Sequence, residues 1–139
     1  MSDVQKMASE ISQLMPVIAR RILFEFFHSV AITQTQIFTI VTLSEKAPCR
    51  LSELSRRLNV AAPTVTGIVD RLEKSGYVKR IPDPEDRRAI QVDLTPKGIQ
   101  VARQLRSTLE QKWKEILEKL PKEDQEHYLR IIRKIRNLL

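Results

Sequence analysis

Asp86, Arg87 and Arg88 sit at one turn, inside the stretch YVKRIPDPEDRRAIQVDLT. Arginine stays charged at any working pH and offers five donors in a rigid fork. Two of them side by side on a narrow ribbon make a probe for a polyanion. The minor groove of A·T-rich DNA is where such a probe meets the most negative potential. Asp86 is expected to orient a guanidinium, since carboxylate and arginine pair bidentately. An arginine-rich turn on its own is ordinarily a solvated loop. Its position directly after two short helix patterns gives it meaning.

The second of those patterns is APTVTGIVDRLEKSG. On a helical wheel, Val65, Ile68, Val69 and Leu72 form its apolar face, at spacing i, i+3, i+4, i+7. The opposite face holds Pro63, Thr66, Gly67, Asp70 and Lys74, flanked by Ala62, Thr64 and Arg71. Small side chains near the N-terminus let a helix lie deep in a major groove. Thr64 and Thr66 can bond phosphates or base edges, although threonine near a helix start is common for local reasons. The apolar carbons of Ala62, Pro63 and Thr66 suit thymine methyl groups. Arg71 and Lys74, with Arg56 and Arg57 on the preceding helix, are expected on phosphates, where they position without specifying.

These residues need a frame. An amphipathic helix is expected over residues 4–28, from Met7, Ile11, Leu14, Ile18, Ile22 and Phe26, with Pro16 kinking or breaking it. Thr33 and Gln36 fit a capping box, and Ile32 and Ile37 a hydrophobic staple, for a helix ending near Glu45. Leu51, Leu54 and Leu58 predict a short third helix with Asn59 left-handed at its end. The fourth starts near Ala62, tolerates Pro63 in its first turn, and ends at Gly76. Residues 77–81 and 89–94 read as hairpin strands. In the second, Ile90, Val92 and Leu94 alternate with Gln91 and Asp93, and Pro82, Asp83 and Pro84 mark the turn. A long helix over residues 96–120 carries Leu105, Leu109, Trp113, Ile116 and Leu120. Pro121 separates it from a last helix over 122–139, with Tyr128, Ile131, Ile132, Ile135 and Leu138. The fold class is mainly α with a small β element.

A chain of 139 residues supports one domain, or one DNA-reading unit with an attached oligomerisation element, and its net charge of +7 suggests a polyanionic partner without proving one. The excess charge is uneven: zero over residues 1–32, +3 over 33–98 and +4 over 99–139. The single Cys49 excludes an internal disulfide framework and fits a reducing compartment. The polar start and the lack of an apolar run near ~18 residues argue against a signal peptide or membrane span, so a cytoplasmic location is expected. His28 and His127 stand far apart with no partner at ligand spacing, so no metal is expected. No cofactor motif and no catalytic set appears, which argues against an enzyme.

Residues 32–98 resemble the MarR family of bacterial and archaeal transcriptional regulators. The resemblance rests on ITQTQ, LSELSRRLNV, TVTGIVDRLEKSGYVKR and DPEDRRAIQVDLTPKG, with Asp86, Arg88, Leu94, Thr95 and Gly98 on the family's wing pattern. It implies a winged helix-turn-helix domain over 32–98 and a helical dimerisation region from 1–31 and 99–139. It implies a homodimeric repressor on pseudopalindromic double-stranded operators, Arg88 in the minor groove with Arg87 beside it, and relief by a small aromatic or phenolic effector. Gly67 departs from the longer polar or basic side chain many members carry there. Ala61 departs from their Ser, Thr or Asp N-cap, a loss of roughly 1 kcal/mol.

Two other readings belong beside this one. The small recognition face also suits an architectural protein that coats DNA with little sequence preference. Cys49, near Lys46 and Arg50, also suits a thiol redox sensor, but an inert, half-buried Cys49 is favoured, because no second cysteine can resolve a disulfide.

Overall fold

The computed structural model describes residues 2–139, with the order α1 (Asp3–Ser29), α2 (Gln34–Lys46), β1 (Cys49–Arg50), α3 (Leu51–Leu58), α4 (Ala62–Lys74), β2 (Val78–Pro82), β3 (Ile90–Leu94), α5 (Pro96–Glu118) and α6 (Lys122–Leu138). They divide into two compact units. One comprises Phe24–Arg106; the other comprises residues up to Leu23 together with Ser107–Leu139.

In the Phe24–Arg106 unit, local chemistry sets the helix ends. The Thr33 hydroxyl accepts the Gln36 N–H at 3.3 Å, and the Gln36 side chain accepts the Thr33 N–H at 3.0 Å. Both staple residues, Ile32 and Ile37, are buried. Asn59 ends α3 at φ 52°, ψ 47°, a left-handed position that asparagine tolerates better than most residues. Helix α4 stops at Lys74, two residues before Gly76. Ser75 is its C-cap, and Gly76 follows at φ +84°. The Tyr77 N–H reaches the Leu72 carbonyl and the Gly76 N–H that of Glu73, which satisfies two orphan carbonyls in a Schellman arrangement.

The core of this unit holds the apolar face of α4, Val65, Ile68, Val69 and Leu72, together with Ile40, Leu43, Leu54 and Phe26, all buried. The hairpin is not the two-stranded ribbon that the pattern predicts. Strand β1 pairs antiparallel with β3, Cys49 opposite Val92, making a three-stranded sheet of order β1-β3-β2. A two-residue strand carries no periodicity of its own, so only its pairing partner reveals it. In β3, Val92 and Leu94 are buried, but Ile90 is 45% exposed because it lies at the outer end, opposite Pro82.

The base of the hairpin is locked onto α5. The Thr95 hydroxyl donates to the Gly76 carbonyl and accepts the Gly98 N–H. Lys97 donates to the Ser75 carbonyl and lies over the Tyr77 ring. A Cβ at Gly98 would run into the Tyr77 carbonyl oxygen, so only glycine lets α5 start this close.

In the other unit, α1 continues through Pro16, so of the kink or break expected there the break does not occur. The proline removes one amide donor, and the helix is assigned continuously on both sides of it. Trp113 and Tyr128 stack at 5.4 Å between α5 and α6, and Gln125 donates to the carbonyls of Leu117 and Leu120 across the turn at Pro121. No residue of α6 is buried. The row Val4, Met7, Ile11, Leu14 and Ile18 on α1 is exposed throughout. Among the described residues no single helix is long and apolar enough to cross a membrane.

Candidate nucleic-acid interface

The turn between α3 and α4 presents α4 outward. The Ser55 hydroxyl and the Val60 N–H bridge the chain across left-handed Asn59. With its apolar face buried, α4 leaves Ala62, Pro63, Thr64, Thr66, Asp70, Arg71 and Lys74 exposed and Gly67 half-buried. The Thr66 hydroxyl donates back to the Ala62 carbonyl at 3.1 Å, which leaves its oxygen to accept. Ala61 supplies no side-chain cap, so the first N–H groups of α4 point outward unsatisfied by any cap.

Arg56 and Arg57, both expected on phosphates, are not equivalent. Arg57 donates through Nε and Nη2 to Glu53, at 3.2 and 3.1 Å. Arg56 extends into solvent, 75% exposed and 3.9 Å from the same carboxylate. Arg56 is therefore the available cation of this helix.

The hairpin tip is built around a carboxylate that the sequence marks only as a turn residue. Asp83 is buried. Its Oδ1 accepts the N–H groups of Glu85 and Asp86, and its Oδ2 accepts from Arg50 Nε at 2.6 Å. The Glu85 N–H first, then Arg50 and the Asp86 N–H, hold its carboxyl below the usual carboxylate range. Arg50 on β1 thus anchors the tip across 33 residues of sequence. Asp86 does not pair with a guanidinium as expected: its carboxylate accepts the Arg88 backbone N–H at 2.9 Å. It orients Arg88 through the main chain. The side chains of Arg87 and Arg88 are exposed and, among the described residues, have no carboxylate partner.

A second arrangement joins the hairpin to α4. Arg80 on β2 donates Nη2 to Asp70 at 2.5 Å and Nη1 to Glu73 at 2.7 Å, and its N–H reaches Glu73 at 3.1 Å. Partial burial works against its charge, and the two carboxylates more than restore it. One guanidinium thereby fixes β2 against α4 and neutralises two carboxylates on the exposed side of that helix. Neither Arg50 nor Arg80 is identifiable from local pattern, because their partners lie on other elements.

Cys49 is buried, and burial followed by the neighbouring Glu53 pushes its thiol up, opposite to what a reactive thiolate needs. In the native protein, Cys49 is expected to react with a maleimide at least ~100-fold more slowly than after unfolding, since it must wait for an opening event. Rapid native labelling would restore the redox reading. Among the described residues no group of His, Cys, Asp and Glu is arranged for a metal ion.

An exposed helix of small residues beside an arginine-tipped hairpin is the geometry of a winged helix-turn-helix. The family profile described as MarR family matches residues 32–90. A helix-turn-helix transcriptional regulator of Bacillus subtilis, YsmB, is 30% identical over 104 residues, covering 75% of this chain and 68% of that protein. The chain belongs to the MarR family. A second Bacillus subtilis relative, the transcriptional repressor MdtR, is 28% identical over 101 residues, covering 70% of this chain and 65% of that protein. The crystal structure of a transcriptional regulator from Thermotoga maritima matches with a TM-score of 0.69 and 33% identity, over 97% of this chain and 92% of that one. Members of the MarR family are DNA-binding transcriptional regulators, not enzymes, and the fold is theirs: mainly helical, with a small antiparallel sheet.

Proposed function

We propose that this chain is a sequence-specific regulator that binds pseudopalindromic double-stranded DNA as a homodimer and represses transcription. The observation that carries the DNA reading is the pair of free guanidiniums, Arg87 and Arg88, on a tip organised by Asp83 and Asp86, beside an α4 face with no bulky side chain at its start. In this reading α4 enters the major groove through Ala62, Pro63, Thr64, Thr66 and Gly67. Arg56, Arg71 and Lys74 lie along the phosphates, with Arg57 contributing when it leaves Glu53. Arg87 and Arg88 take the flanking minor groove. Repression is supported by the relative that carries that name.

Dimerisation is supported by exposed apolar side chains in the unit formed by the two chain ends. Val4, Met7, Ile11, Leu14 and Ile18 recur at alternating steps of three and four, the spacing of a helix seam that wants a partner. Ile131, Ile132 and Ile135 are also exposed on α6. Light scattering after size exclusion is expected to give twice the chain mass, and Ile11→Glu with Ile132→Glu to give the chain mass. A wild-type monomer at micromolar concentration would overturn the homodimer.

A small aromatic or phenolic effector completes the reading. It relieves repression only if it binds the spacing of the two winged units that does not fit DNA more tightly than the spacing that does. The deciding experiment for the function is binding to a fragmented genomic DNA pool at near-physiological salt, with the bound fragments sequenced. A recovered palindrome supports the specific regulator. Uniform recovery would replace it with an architectural protein of low sequence preference.

A further inference from the structure

Gly67 and Arg71 are four residues apart on α4, and the structure gives them one shared feature. A Cβ added at Gly67 would meet a single neighbour, Nη2 of Arg71, at 3.4 Å. The guanidinium of Arg71 therefore lies back along the helix, over the position where residue 67 has no side chain. Helix geometry favours this, because a long side chain covers the surface one turn toward the N-terminus of its own Cα. Residue 67 lies on the exposed side of α4, one turn beyond Pro63, and nearer the helix start than Arg71 itself. The fork thus reaches back from the flank toward that face.

Its electrostatic surroundings leave it free. Asp70 and Glu73, the carboxylates next to it on α4, are both engaged by Arg80. Arg71 is exposed and, among the described residues, has no ion-pair partner. An unpaired planar fork with five donors, lying over a helix start whose exposed side chains (Ala62, Pro63, Thr64, Thr66) are all short, is the group best placed to reach a base edge. The base it matches is guanine, whose O6 and N7 accept a bidentate pair in the major groove.

We propose that Arg71, seated over Gly67, reads a guanine in each half of the DNA site, doing from position 71 what a long side chain at position 67 would otherwise do. This rests on α4 being the helix that enters the major groove. It changes the role of Arg71 from phosphate contact to base reader, and it makes Gly67 the residue that sets where the fork sits.

The test uses the full chain and a randomised duplex pool from which the wild-type protein selects its preferred site at fixed salt. Each position of that site is then replaced in turn, and guanines also by 7-deazaguanine, which pairs normally but lacks the N7 acceptor. Wild type is expected to show one guanine per half-site whose replacement weakens binding by roughly 10- to 100-fold, with the deaza base alone producing a large part of the loss. In Arg71→Ala all four bases are expected to bind alike at that position, with preferences elsewhere retained. Among the described residues Arg71 has no partner to strand, so the variant should unfold at the wild-type temperature.

If Arg71→Ala instead weakens every sequence equally, keeps the guanine preference and lowers the salt slope by about one per half-site, Arg71 is a phosphate contact and the proposal is wrong. If the wild-type chain selects no site at all, the reading of α4 as a major-groove helix fails, and this proposal with it. The two failures are separate, because the second appears before any substitution is made.

Discussion

Arg88→Ala is expected to weaken binding to the preferred DNA site by roughly 30-fold or more, measured by gel shift at fixed salt. The size follows from geometry and symmetry. One well-placed arginine contact to DNA contributes about 1–3 kcal/mol, and a two-winged complex loses it twice. Nothing in the protein offsets the loss. Among the described residues the Arg88 guanidinium has no partner, so truncating it strands no carboxylate and frees no competing contact. Only its main chain is tied down, through the N–H held by Asp86. Fold stability is therefore expected to stay at the wild-type value, and the effect appears in DNA affinity alone. Arg88→Lys should recover part of the loss but not all, since a point charge finds phosphates without reproducing the planar fork. Wild-type affinity in Arg88→Ala would remove the hairpin from the interface and leave α4 to account for binding by itself.

How much of this was legible in the sequence depends on how far apart the cooperating residues lie. Thr33 with Gln36, Ile32 with Ile37, and the four core residues of α4 interact within one or two turns, so periodicity and cap chemistry identify them directly. Asn59 is legible for the same reason: its left-handed conformation is a property of the residue itself. The proposed interface residues Thr64, Thr66, Arg87 and Arg88 are legible as types in order along the chain, and the structure places all four exposed on their elements. What was not legible is what positions them. Strand β1 exists only because β3 pairs with it. Arg50 and Asp83 are 33 residues apart, and Arg80 reaches back ten residues to Asp70. In each case a surface arginine in sequence became a structural tie once the chain folded. Asp86 does not take the guanidinium partner its type suggests, because a carboxylate in a tight turn finds the nearby backbone N–H before a flexible guanidinium. Pro16, expected to kink or break α1, does not end it: the helix continues on both sides within a long apolar repeat.

Arg80→Ala is expected to reduce DNA affinity by about 10- to 100-fold, although Arg80 is not counted among the DNA contacts. Arg80 is the only described cation bonded to Asp70 and Glu73, which are 61% and 42% exposed on α4. Without it, two uncompensated carboxylates face a phosphate backbone from within the proposed reading helix, and like charges brought together at an interface cost up to several kcal/mol, less where solvent screens them. The hairpin also loses its fixed angle to α4, so Arg88 and Thr66 no longer reach their grooves from one rigid body. These two causes separate by experiment. Adding Asp70→Asn and Glu73→Gln to Arg80→Ala removes the repulsion without restoring the tie. If electrostatics dominates, the triple variant recovers most of the affinity and its salt dependence returns toward wild type. If positioning dominates, affinity stays low while the salt dependence still returns. The contribution to fold stability should be small in either case, about 1 kcal/mol, because the pairs are largely solvated on the carboxylate side. Unchanged DNA affinity in Arg80→Ala would mean that Asp70 and Glu73 point away from the phosphates in the complex. The exposed edge of α4 that meets DNA would then be the one carrying Thr64 and Arg71, because the helix cannot present both edges to one groove.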